Sequence, residues 1–121
     1  MKLPRWFTHN VADTDGPTHS DLTPLPLPLP PDEAVVRIVE VIGRLPRWAV
    51  VAVEGRTIRA SRRTRLCGFV DDVTLRLDET PTGSFVHARS HSRVGKGDLG
   101  QNRRNLRQLF AAVRRDINAP S

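Results

Sequence analysis

At 121 residues the chain holds one domain with a single modest core and is too short for two. A hydrophobic share of 38% fits a folded globular chain and argues against disorder. The net charge of +6 rests on 17 arginines against 2 lysines, a bias toward the flat fork that grips carboxylate or phosphate. A GC-rich genome produces the same bias with no function behind it.

Cys67 is the only cysteine, which excludes an internal disulfide and a cysteine-built zinc site. The residues after Met1 show no apolar run of the signal-peptide kind. No segment approaches the ~20 apolar residues that cross a bilayer, so no membrane span is expected. A soluble, cytoplasmic protein is the expectation.

Residues 1–31 read as an extended arm. They end in Pro24-Leu25-Pro26-Leu27-Pro28-Leu29-Pro30-Pro31, where alternating leucine and proline favours a polyproline rod. Its leucines either lie along the protein's own surface or serve a proline-recognising partner. The folded unit should then cover 32–118. A helix over 33–44 follows from the acidic start Asp32-Glu33, from Val35, Ile38, Val39, Ile42 and Leu45 at helical spacing, and from Pro46, which forbids continuation.

Four strand-like runs come next, at about 48–53, 57–66, 69–78 and 85–94. Glu54-Gly55, Cys67-Gly68 and Thr80-Pro81-Thr82-Gly83 separate them, so an antiparallel meander is expected. The last element, about 99–116, places Leu106, Leu109, Phe110, Val113 and Ile117 on one face. The predicted fold is α+β, in the order α-β-β-β-β-α. It has a four-stranded antiparallel sheet with both helices on one face.

Strand parity then says what the other face carries. If Val73, Leu75 and Leu77 point to the helices, Asp72, Thr74 and Arg76 point away. The same rule turns His87, Arg89, His91 and Arg93 outward on the next strand, and Arg59, Ser61, Arg63 and Arg65 on the preceding one. A two-residue turn at Cys67-Gly68 sets Arg63 opposite Asp72, and a loop at 80–83 sets Asp72 opposite His91. The expected result is a carboxylate ringed by Arg63, Arg89, His91 and Arg93. A ladder of exposed ion pairs, each worth at most about 1 kcal/mol, would explain it. Against the ladder, Arg59 would face Arg76 across the sheet, and like charges there repel unless an anion intervenes.

The stretch 89–104 closes this argument with a glycine-rich turn and a helix start. Asp98 followed by Gln101 fits a capping box. Arg103 and Arg104 sit in the opening turns, where the helix dipole disfavours cations and an anion would be welcome. Gly95-Lys96-Gly97 lacks the spacing of a phosphate-binding P-loop. Asp71 and Asp72 point to opposite faces and make a poor acid/base pair. His9, His19, His87 and His91 have no metal-ligand spacing, and Ser90 and Ser92 should face the helices. No catalytic residue, metal ligand or cofactor is assigned.

Two segments carry a family resemblance. They are Arg65-Leu66-Cys67-Gly68-Phe69-Val70-Asp71-Asp72-Val73 and Arg89-Ser90-His91-Ser92-Arg93-Val94-Gly95 running on to Asp98-Leu99-Gly100-Gln101-Asn102-Arg103-Arg104. They resemble the signature of domain of unknown function 1499, over roughly residues 19–115 of this chain. The resemblance implies a fold unit without an assigned activity. It places emphasis on Asp71, Asp72, Arg89, Ser90, Ser92, Arg93, Gly95, Asp98, Gly100, Asn102 and Arg103. The cysteine-containing lead found in many members is missing here, and Cys67 stands where an apolar residue is common.

Residues and resemblance together give the candidate binding set Arg63, Asp72, Arg89, His91, Arg93, Asp98, Asn102 and Arg103. The leading reading is a non-enzymatic binding module for a small anion or an acidic partner. Sequence-nonspecific nucleic-acid binding is the first alternative, suggested by charge but short of an aromatic platform. An enzyme of unknown class is the second; a desolvated Asp72–His91 pair in a deep pocket would support it.

Overall fold

Prolines punctuate the first half of the chain and set its boundaries. Pro31 opens the first helix, α1 (Pro31–Arg44), at a position where a missing N–H costs nothing. Asp32 and Glu33 follow in the first turn, Arg44 stands in the last, and Leu45 is already extended ahead of Pro46. The computed structural model describes residues 11–15, 22–64, 69–93 and 101–119.

Three hairpin connections build the central sheet. Strands β3 (Trp48–Glu54), β4 (Thr57–Arg63), β5 (Val70–Thr80) and β6 (Gly83–Ser92) pair antiparallel in chain order. Helix α2 (Gln101–Asn118) follows. Residues 99 and 100 of the expected helix lie outside the described residues, and the helix runs on to Asn118.

The sheet has six strands, not the four expected from sequence. The proline-rich arm supplies the other two. Residues Val11–Asp13 form β1, which pairs with β6 at 89–91, and Leu25–Leu27 form β2, which pairs with β6 at 84–86. Both therefore lie end to end along the same outer edge of β6. Pro26 fits there because an edge strand tolerates a residue without an N–H. Leu25 and Leu27, on either side of it, are buried.

Alternation then fixes the two faces. Val73, Leu75 and Leu77 of β5 are buried, as are Ile58 and Ala60 of β4 and Val86 and Ala88 of β6. They meet Ala34, Ile38 and Ile42 of α1 and Leu106, Leu109 and Val113 of α2 in one core cluster. Both helices share this face, α1 over β3 to β5 and α2 over β6 and β1. Asp116 near the end of α2 ties the helices together. It accepts from Arg37 Nε at 3.0 Å and Arg44 Nη2 at 2.7 Å. No helix of the described chain is long and apolar enough to cross a membrane.

Candidate functional site

The face opposite the helices is polar and open. Its centre is Asp72 on β5, which Arg93 grips with both arms of its guanidinium, Nε to Oδ2 and Nη2 to Oδ1, each at 2.9 Å. Such a fork is the strongest geometry open to an exposed pair. The Arg93 hydrogen bond holds the Asp72 carboxyl below the usual carboxylate range against the opposing effect of partial burial. His91 sits directly across from Asp72, its Nε2 3.9 Å from Oδ2. Their side chains stay 45% and 30% exposed, so they are not desolvated together as an acid/base pair would be.

One end of the face is held by the arm. His87 turns Nδ1 to Asp15 at 2.7 Å and Nε2 to Asp78 at 3.0 Å. Arg76 approaches the same two carboxylates at 3.5 and 3.7 Å. The bond from His87 is the main reason the Asp15 carboxyl lies below its ordinary range. A concavity of about 320 Å³ opens here, lined by Asp13, Asp15, Thr74, Arg76, His87, Ala88 and Arg89. Arg89 is exposed and forms no ion pair among the described residues.

Two register expectations fail. Asp72 faces Ser61, not Arg63, and Arg63 faces Val70. The cause is the β4–β5 connection: Thr64 N–H donates to Phe69 O, so the turn is longer than Cys67-Gly68 alone and the register moves by two. Parity survives and Arg63 remains on the open face, diagonal to Asp72. For the same reason Arg59 faces Thr74, and Arg76 faces Thr57. The like-charge clash that argued for an intervening anion does not occur. Arg59 instead pairs with Glu54 at 3.3 Å.

Asn102 is not on this face at all. It is buried beneath the sheet, accepting from Ser90 Oγ at 2.6 Å and donating to Ser92 Oγ at 3.0 Å. One turn on, Asn105 donates to Asp71 Oδ2 at 2.7 Å and to Ser90 Oγ at 3.3 Å, and accepts from Gln101 at 2.7 Å. Asp71, Ser90 and Asn105 are essentially inaccessible to water. Arg62 stands across the sheet from Asp71 and bonds Gln108 Oε1, which also accepts from Trp48 Nε1. Burial pulls the Arg62 pKa down. Sequence reasoning missed this network. Its signal was present: inward parity for Asp71 and Ser90, and asparagines at 102 and 105 on one helix face.

Arg103 lies half-buried in the first turn of α2 and has an interaction partner. Asp98 lies outside the described residues, as do Cys67 and the glycine-rich turn. The structure thus gathers Arg63, Asp72, Arg89, His91 and Arg93 on one face and sends Asn102 to the other.

A family model described as protein of unknown function (DUF1499) matches residues 4–113. The chain belongs to the DUF1499 family. Its fold resembles the crystal structure of protein MLL2253 from Mesorhizobium loti, at 13% identity and a TM-score of 0.60 over 79% of this chain and 94% of that one. At that identity the likeness speaks for the fold alone. No curated protein matches. In this DUF1499 chain the signature residues divide between the two faces of the sheet. Asp71, Ser90, Ser92 and Asn102 build the covered network, while Asp72, Arg89 and Arg93 stand on the open side.

Proposed function

We propose that this DUF1499 domain is a non-enzymatic binding module whose open sheet face takes a small anion or an acidic partner along Arg89, His91 and Arg93. We take 32–118 as the folded unit and 1–31 as its arm, of which Val11–Asp13 and Leu25–Leu27 pair with the β6 edge. The observation that carries the reading is Arg89. It stands exposed between the Arg93–Asp72 pair and the His87–Asp15 pair, forms no ion pair among the described residues, and lines a shallow concavity. Arginine at such a place offers a planar fork to a carboxylate or phosphate at little reorganisation. Asp72 contributes by fixing Arg93, four residues along the chain from Arg89.

The carboxylates of Asp15, Asp72 and Asp78 on the same face work against a long polyanion, so a compact anion fits better than a nucleic-acid backbone. Thermal unfolding in phosphate or sulfate against chloride of matched ionic strength tests the reading. An ion at ten times its Kd adds about 1.4 kcal/mol, or about 5 °C for a domain of this size. The shift should vanish in Arg89→Ala and shrink in Arg93→Ala. Equal stabilisation of all three proteins would leave only a general salt effect and refute the site.

A further inference from the structure

The two edges of the sheet are treated differently by the chain. The β6 edge is covered end to end by β1 and β2. The other edge, β3, pairs only with β4 among the described residues, which leave its outer side bare. Its sequence Trp-Ala-Val-Val-Ala-Val-Glu contains no proline and no lysine, the usual guards of an exposed edge.

Side chains at that edge are apolar as well. Val51 and Val53 are 60% and 45% exposed. The register shift between Val50 and Ala52 leaves Val51 without a partner in the β4 ladder. A bulge normally discourages edge pairing. Here it presents the most exposed of the large apolar side chains at the midpoint of the bare strand.

We infer that β3 is a self-association edge whose occupant is the β3 strand of a second copy of this chain, antiparallel about a two-fold axis near Val50 and Val51. Charge selects this partner. The exposed Arg47 stands at the start of the strand and the exposed Glu54 at its end. Antiparallel self-pairing centred on Val51 brings Arg47 of each copy within one residue of facing Glu54 of the other, at both ends of the contact, where Glu54 also reaches Arg59 of its own chain at 3.3 Å. It also brings the two Val51 side chains together on the axis, with Val53 flanking them. The backbone on either side of the bulge supplies the ladder. Because the two-fold contact uses the same β3 edge of both copies, edge-to-edge growth through it stops at two copies.

Sedimentation equilibrium of the chain tests this, loaded from about 10 µM to about 1 mM, since a strand edge alone gives a small and weak interface. The expected result is a concentration-dependent mass that levels at twice the monomer. Val51→Lys should lower the association constant at least about tenfold while leaving the melting temperature of the monomer unchanged. Val53→Glu, two residues along the same strand and also exposed, gives the same readout should the bulge not accept lysine. Arg47→Glu should weaken association and Arg47→Glu with Glu54→Arg should restore it. A monomer throughout the range, a mass rising past two copies without a plateau, or unaltered association in both valine variants overturns the inference.

Discussion

Removing the amide of Asn105 tests the hidden half of the site. Asn105 is 0% exposed and its Nδ2 is the donor to Asp71 Oδ2 at 2.7 Å, on a carboxylate that is itself 1% exposed. In Asn105→Ala the donor goes, the carboxylate stays under α2, and water has little room to replace the bond. Breaking a buried charged interaction from one side costs about 3–5 kcal/mol. Arg62, directly across the strand pair, still lies beside the charge, so the low end applies and about 3 kcal/mol is expected. The lost contacts to Ser90 and Gln101 act in the same direction but are bonds between neutral groups, worth about 1 kcal/mol or less each.

Urea unfolding of Asn105→Ala, Asp71→Ala and the double variant gives the measurement. If the two side chains stabilise each other, the double variant loses well under the sum of the singles, with a coupling of at least about 1 kcal/mol. A single loss below about 1 kcal/mol, or strict additivity, would refute the view that the network holds α2 to the sheet.

Two other outcomes follow from the same reasoning. At Gly83 the backbone has φ 149°, and a Cβ there would run into the carbonyl oxygen of Leu27; Gly83→Ala should therefore cost more than about 1 kcal/mol, with amide exchange rising first along Leu25–Leu27. The carboxyls of Asp15, Asp72 and Asp116 all lie below the ordinary value of 3.8 in the folded protein. Their contribution is therefore complete above that value and is lost as pH falls through the lowered ones, so the melting temperature should drop below about pH 4. Asp116→Asn should remove part of that acid limb while leaving the sheet-face ion pairs intact.

Parity was the most legible feature of the chain. The alternation of Val73, Leu75 and Leu77 against Asp72, Thr74 and Arg76 assigns both faces of β5 without any register, because the side-chain period of a strand is two. Register across the β5–β6 hairpin was also legible. Pro81-Thr82 closes it tightly, with Thr80 opposite Gly83, and Asp72 falls opposite His91. The β4–β5 register was not, since Cys67-Gly68 looks like a complete turn while the bond from Thr64 N–H to Phe69 O closes the hairpin around four residues, 65–68. The arm misled for a different reason. Leu-Pro alternation fits a polyproline rod and an edge strand equally well. What decides between them is the bare side of β6, which is nonlocal.

That division bears on how the signature should be read. A run such as Arg89-Ser90-His91-Ser92-Arg93 looks like one motif in the chain, yet a strand deals its members alternately to two environments. The serines go under α2, where an unsatisfied hydroxyl would be costly, and the asparagines of the helix answer them. The arginines go to solvent, where their geometry is fixed by Asp72 or left open. The covered half thus has a sufficient explanation in fold stability: each of its polar groups holds the helix against the sheet. Arg89 on the open half forms no ion pair among the described residues. A side chain that helps hold nothing together is the place to look for a ligand, which is why the binding test rests on Arg89 and the stability test on Asn105.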